Sequence, residues 1–247
     1  MLDLHGVGFA YAPGQWVFRD VSLSLPAGSV TAVLGPNGKG KTTLLRCAAG
    51  LLKPQEGSVR HESQVVFVPQ AHAAAFAFRV IDMVLMGRVR HVRTFASPGR
   101  QDHVAAMAAL ERVGIVHLAD RQFSRLSGGE QRLVTIARAV ASDSEVLALD
   151  EPATGLDLRN QGRILTLLRE LAENGMAVLT STHHPDHAMY VADTACLMLD
   201  PEDVRVDAAD RLLTDAMLSA LYGIEVRTVS YDDNGTRRRG LVTRYGS

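Results

Sequence analysis

Apolar and polar positions alternate along this chain in three patterns, each predicting a different element. The unbroken apolar run at 146–149 and the largely apolar runs at 30–34 and 177–180 read as buried strands. Residues 20–25 have period two, with Val21, Leu23 and Leu25 set against Asp20, Ser22 and Ser24, which predicts a half-buried strand. Helical spacing appears in Val80, Ile81, Val84 and Leu85, and in Val104, Met107, Ala108 and Leu110 of a helix over 101–113. It recurs in Leu133, Ile136, Ala137 and Val140 of a helix over 131–141.

The remaining elements follow from punctuation. Residues 1–18 are strand-like around a turn at Pro13-Gly14, and residues 54–57 form another turn. A strand over 64–68 ends at Pro69, and a helix over 42–49 ends at Gly50. Helices are expected over 158–171 and 186–192, with a last strand over 194–199. Beyond Asp200 the pattern predicts a helix over 210–220 and an extended piece over 226–229. Arg237, Arg238 and Arg239 read as a solvated end, and the basic loop at 91–100 as solvated surface. Strand–helix alternation of this kind predicts an α/β fold with a parallel sheet.

Composition narrows the class. The chain has 247 residues, 47% hydrophobic and 21% charged, enough for a packed core. A net charge of −1 gives no electrostatic footprint for nucleic acid, so no nucleic-acid partner is expected. Cys47 and Cys196 both sit in apolar runs and are expected to be buried free thiols in a reducing compartment. The sequence carries neither a membrane-length apolar run nor a basic-then-apolar leader, which predicts a cytosolic protein able to dock on a membrane partner.

The chemistry is concentrated in four stretches. Gly35-Pro36-Asn37-Gly38-Lys39-Gly40-Lys41-Thr42-Thr43 matches the phosphate-binding loop G-x-x-x-x-G-K-[S/T], between a buried strand and a helix as that motif requires. Glycines let backbone N–H groups and the helix N-terminus approach an anion. Lys41 adds a charge for the outer phosphates, and Thr42 a hydroxyl for Mg²⁺. Lys39 is expected to point to solvent. Leu126-Ser127-Gly128-Gly129-Glu130 opens a second helix, with Ser127 as N-cap and two glycines exposing N–H groups. One triphosphate cannot easily fill both anion sites of a single molecule, whereas a dimer sharing each nucleotide would use both. Asp150-Glu151 ends an apolar strand, where ligands bind in such sheets, so Asp150 would hold Mg²⁺ and Glu151 would polarise water. Ser181-Thr182-His183-His184 ends another strand, and a His there can reach a γ-phosphate. Tyr11 and Gln70, read alone, are a packing residue and a solvated loop residue.

Together these motifs resemble the ATP-binding subunit of an ABC transporter, over nearly the whole chain from about Leu2 to Val229. The resemblance implies a P-loop NTPase core with a mostly parallel sheet, an N-terminal antiparallel β subdomain and an inserted α-helical subdomain at about 78–140. It implies one domain over 1–230 and a short tail over 231–247. The implied ligands are ATP and Mg²⁺. Tyr11 would stack on adenine, and Asn37, Gly38, Lys39, Gly40, Lys41, Thr42 and Thr43 would contact phosphates. Gln70 would sense the metal and link to the membrane partner. Ser127, Gly128 and Gly129 would contact the nucleotide of the other subunit. Asp150 would bind Mg²⁺, Glu151 would be the catalytic base, Asp157 would lie in the subunit-contacting loop, and His183, chosen over His184, would touch the γ-phosphate. The implied partners are transmembrane permease subunits, a second copy of the chain and, indirectly, a substrate-binding protein, at the cytoplasmic face of the membrane.

Arg132, where the family commonly has Gln, and Asp200-Pro201-Glu202-Asp203, in place of a Gly turn, depart from the pattern. They are expected not to touch the phosphate chemistry. Val84-Leu85-Met86-Gly87-Arg88 and Leu221-Tyr222-Gly223-Ile224 are most similar to importers of metal chelates: iron–siderophore, haem or cobalamin. Molybdate or tungstate import, other metal import, or export are the alternatives. A soluble ABC protein acting on DNA or ribosomes would carry basic inserts, paired cassettes or zinc-binding cysteines. A regulatory cassette without turnover would be expected to lack Lys41, Asp150, Glu151 or His183.

Overall fold

The computed structural model describes residues 1–70, 78–93, 96–233 and 235–243. The chain begins with a hairpin, β1 (Leu2–Ala12) and β2 (Gln15–Leu25), whose turn falls at Pro13-Gly14. Then follow β3 (Val30–Leu34), α1 (Lys41–Ala48), β4 (Glu56–His61) and β5 (Val65–Val68). The helical part comprises α2 (Val80–Leu85), α3 (Arg100–Arg112) and α4 (Gly128–Val140). Next come β6 (Val146–Leu149), α5 (Leu158–Glu173), β7 (Ala177–Thr182), α6 (Pro185–Val191) and β8 (Thr194–Asp200). The chain closes with β9 (Asp203–Ala208), α7 (Ala209–Leu212), α8 (Asp215–Tyr222) and a hairpin of β10 (Val226–Asp233) and β11 (Thr236–Thr243).

The main sheet has the order β5-β6-β7-β3-β8-β9, parallel except for the β8–β9 edge pair. The strands β3, β6 and β7 are buried at every position, and Thr31, Thr180, Ser181 and Thr182 are buried polar residues within them. A separate antiparallel sheet, β2-β1-β4, packs with α1 on one face of the main sheet through Leu2, Phe18, Leu44 and Leu179. Helices α2, α3 and α4 pack on one another through Val84, Leu110 and Ile136, and this cluster is continuous with Leu147 and Leu168. The expected α/β fold with an antiparallel N-terminal sheet and an inserted helical part is what the chain adopts. Cys47 and Cys196 are free and buried, and burial pushes their thiols up to about 11 and about 12.

Four expectations differ from the structure. The α3 face predicted from Val104, Met107, Ala108 and Leu110 is rotated: Val104 is 63% exposed, and Asp102, Ala106, Ala109 and Leu110 point inward. An alanine-rich helix leaves its periodicity ambiguous, and buried Arg88 draws Asp102 in with an Nε–Oδ1 contact of 3.3 Å. The turn at 54–57 leads directly into a strand missed from sequence, β4. Gly57 takes φ +72°, and a Cβ there would lie 2.2 Å from the His5 carbonyl oxygen. The helix expected over 210–220 is broken between α7 and α8, where the Thr214 hydroxyl caps α8 by accepting from Met217 N. The residues read as a tail after 230 pair with β10, Ser230 opposite Arg239, and Arg238 lies over the Tyr190 ring of α6 at 5.1 Å. Residues 94–95 of the basic loop, Asn234 of the last turn and residues 244–247 lie outside the described residues.

Candidate active site

The C-terminal ends of β3, β6 and β7, adjacent in the sheet, bring three sequence motifs to one edge. After β3 the loop runs from Gly35 to Gly40, and Gly40 at φ +93° is the N-cap of α1. A Cβ at Gly40 would also meet Val17 Cγ1 at 2.3 Å, so both conformation and space call for glycine. The first α1 residue is Lys41, buried, with Nζ donating to the Gly35 carbonyl at 2.8 Å and the Pro36 carbonyl at 3.1 Å. The same Nζ lies 3.2 Å from Glu151 Oε1.

The acid pair after β6 is held from β7. Ser181 Oγ donates to Asp150 Oδ1 at 2.6 Å and accepts the Glu151 N–H at 2.9 Å. Glu151 takes φ +45°, strained for a residue with a side chain, and this hydrogen bond helps fix it there. Its Oε2 accepts from Thr154 Oγ1 at 3.0 Å and lies 3.1 Å from His183 Nδ1. Burial pushes the Glu151 carboxyl up. The His183 hydrogen bond, the Lys41 charge and the Thr154 hydroxyl outweigh it and hold the group below its ordinary range, as an anion.

The donor set for a divalent cation is Thr42 and Asp150. Thr42 Oγ1 donates to Asp150 Oδ2 at 2.8 Å. Two oxygens on adjacent corners of an octahedral Mg²⁺ at roughly 2.0–2.1 Å stand about 2.9 Å apart, so the hydroxyl and carboxylate fit that ion. Gln70 is exposed and lines the same cavity of about 540 Å³ as Thr42, Glu151 and His183. Tyr11 stands at its margin, 68% exposed, with its hydroxyl 3.0 Å from Thr43 Oγ1 and its ring edge-on to Phe9. Asn37, Gly38 and Gly40 complete the loop side.

Not every expected residue converges here. Lys39 does not point freely to solvent: its Nζ donates to the Leu199 carbonyl at 2.8 Å and to Asp200 at 3.0 Å, which leaves its backbone as the part facing the loop. Ser127, Gly128 and Gly129 do not line the cavity. They form the N-terminus of α4, where Glu130 Oε2 accepts from Ser127 N and Oγ, both at 2.8 Å, in a capping box. Gly129 has a packing reason as well, since a Cβ there would lie 2.7 Å from Asn160 Cγ. Asp157 caps α5, accepting from Asn160 N at 2.8 Å, and the next residue, Leu158, is 85% exposed.

The two adjacent histidines separate. His183 meets Glu151, while His184 lines a different cavity. Sequence reasoning gave no role to Ser181, Thr154 or Tyr222, whose hydroxyl donates to the His183 carbonyl at 3.0 Å. Ser181 left one signal, a small polar residue near the end of a wholly buried strand. Arg132 does not line the cavity but lies near the turn before Gln70. It is buried and donates from Nη1 to the Pro69 carbonyl at 3.0 Å, steadying the turn that carries Gln70.

Residues 18–154 match the family model described as ABC transporter. The chain is 39% identical over 222 residues to the molybdate import ATP-binding protein of Haemophilus influenzae, covering 90% of this chain and 87% of that protein. It is 36% identical over 245 residues to the hemin import ATP-binding protein of Gloeobacter violaceus, covering 91% and 88%. Its fold superposes with a TM-score of 0.93 on a chain of an inward-facing ABC transporter described as of metal-chelate type, at 36% identity, covering 99% of this chain and 97% of that one.

Proposed function

Since the chain belongs to the ABC transporter family and is an ATP-binding subunit with ATPase activity, we propose that it powers import of a metal chelate through a partner permease. The carrying observation is the convergence of Lys41, Glu151 and His183 on one cavity at the ends of three adjacent strands. Lys41 and the loop amides hold the triphosphate, and Tyr11 stacks on the base. Thr42 and Asp150 hold Mg²⁺ with Gln70 beside it, and the ion, when bound, neutralises charge on the phosphates. Glu151 accepts a proton from water, and His183 orients the γ-phosphate.

The cavity is completed by a second copy of the chain. Ser127, Gly128 and Gly129 stand off the pocket with their helix N-terminus free to approach a nucleotide held elsewhere. Asp157 and the exposed Leu158 offer a contact beside them. ATP drives transport only if it favours the closed pair over the open one. The permease would dock beside Gln70 and α2, placing the subunit at the cytoplasmic face of the membrane, supplied by a substrate-binding protein. Among the described residues no helix is long and apolar enough to cross a membrane.

The favoured cargo is an iron–siderophore, haem or cobalamin, in line with the hemin-import relative and the metal-chelate structure. Molybdate or tungstate is the second reading, favoured by the Haemophilus influenzae relative. The test is reconstitution in proteoliposomes with the permease and binding protein encoded beside this chain. Metal chelate should raise ATP turnover and accumulate in the lumen. Stimulation by molybdate alone would replace the first reading with the second.

A further inference from the structure

A second cavity, of about 850 Å³, lies beside the β7–α6 turn and is lined by His184, Asp186, His187 and Tyr190 together with Tyr231 and Arg239 of the C-terminal hairpin. His184 is the residue preceding α6, and His187 follows three positions on, so the two imidazoles share a face. Their ring centroids are 4.7 Å apart. One potential ligand atom from each of His184, Asp186 and His187 lies within 4.8 Å of the other two.

These imidazoles are unusual for their burial. His187 is 6% exposed and His184 is half-buried, and both line the cavity.

We propose that His184, Asp186 and His187 form a binding site for a borderline divalent transition cation such as Zn²⁺, with its remaining coordination positions open to the cavity. Two imidazoles and one carboxylate suit Zn²⁺, Fe²⁺ or Ni²⁺, whereas Mg²⁺ prefers oxygen ligands. Ligand atoms on a tetrahedral Zn²⁺ at roughly 2.0–2.2 Å stand about 3.3–3.6 Å apart, so closure from within 4.8 Å takes up to about 1.5 Å of side-chain rotation. The site is distinct from the Thr42–Asp150 pair and borders the catalytic one, because the His184 ring lies 4.1 Å from that of His183.

The test uses the full, untagged chain, stripped with chelator and free of nucleotide. Zn²⁺ is titrated by calorimetry, and Co²⁺ is followed by its visible absorption. One ion per chain is expected, with a Co²⁺ band typical of nitrogen and oxygen ligation. His184→Ala and Asp186→Asn change side chains that are not fully buried. Each should weaken Zn²⁺ binding by at least about tenfold and abolish the Co²⁺ band, with ATP binding retained. Absence of Zn²⁺ binding to the wild type, or wild-type binding by both variants, would overturn the site. ATP binding is read separately, so this result is independent of the transport reading.

Discussion

Lys41 Nζ and Glu151 Oε1 lie 3.2 Å apart, so the cation of the phosphate loop and the acid at the end of β6 form one buried ion pair. Each also has neutral partners: Lys41 the Gly35 and Pro36 carbonyls, and Glu151 the Thr154 hydroxyl. In the proposed mechanism, the pair holds both side chains where a γ-phosphate and its attacking water would meet. Exchanging the Glu151 carboxylate for a phosphate oxygen around Lys41 replaces one charged contact with another of the same kind.

Substitution at the two ends of this pair should therefore have opposite signatures. Lys41→Ala should weaken ATP binding by about tenfold to a hundredfold, the worth of a hydrogen bond to a charged group. Glu151→Gln should bind ATP at least as tightly as the wild type, because it removes a negative charge facing the phosphates. Its turnover should fall by about 10²–10⁴-fold, and an ATP-bound dimer should persist on size-exclusion chromatography. Equilibrium dialysis with labelled ATP and a phosphate-release assay separate the two. Unchanged turnover in Glu151→Gln would remove Glu151 from the base role.

Ser181 serves both acids at once, with its hydroxyl donating to Asp150 and accepting from Glu151 N–H. Ser181→Ala leaves that buried N–H without its acceptor, and a cost of about 1–3 kcal/mol should appear in urea unfolding. Turnover should fall, and more Mg²⁺ should be needed for half-maximal rate, because Asp150 loses one of its two side-chain partners. A variant with wild-type Mg²⁺ dependence would confine Ser181 to a packing role.

Tyr222 reaches His183 from the far end of the sequence. Burial first, then the nearby Asp186 and Glu151 charges, push its phenol well above the usual range, so it stays a donor to the His183 carbonyl. Tyr222→Phe removes only that bond, worth about 0.5–1.5 kcal/mol, and should lower kcat severalfold with little change in KM for ATP. Equal loss in ATP binding would show that α8 supports the whole pocket and not His183 in particular.

Glu151 also sets a pH dependence. Its folded carboxyl lies below the ordinary value of 4.5, so the stability gained from its ionised form is complete above that value. That stability is lost as pH falls through the lower folded value. In the nucleotide-free protein, the wild-type urea midpoint should fall more steeply than that of Glu151→Gln between about pH 5.5 and about pH 3.5. Parallel curves would mean that the carboxyl is not held as an anion by Lys41 and His183.

Much of this protein is local and therefore legible in its sequence. β3 and β6 are apolar at nearly every position, and β7 at its first three, because strands covered on both faces admit little else, and the glycine loop is spelled by φ values that only glycine adopts cheaply. Ser127 and Glu130 announce the start of α4 because both partners of a capping box lie within one turn. What the tertiary structure decided depends on partners far apart in the chain. The rotation of α3 follows from Arg88 drawing Asp102 inward, and alanines at every third or fourth place could not specify it. The last strand forms because β10 supplies its hydrogen bonds, so an arginine-rich segment that is polar by composition becomes ordered by pairing. Two adjacent histidines are equivalent in sequence, and only the turn between β7 and α6 sends one to Glu151 and the other to a separate cavity.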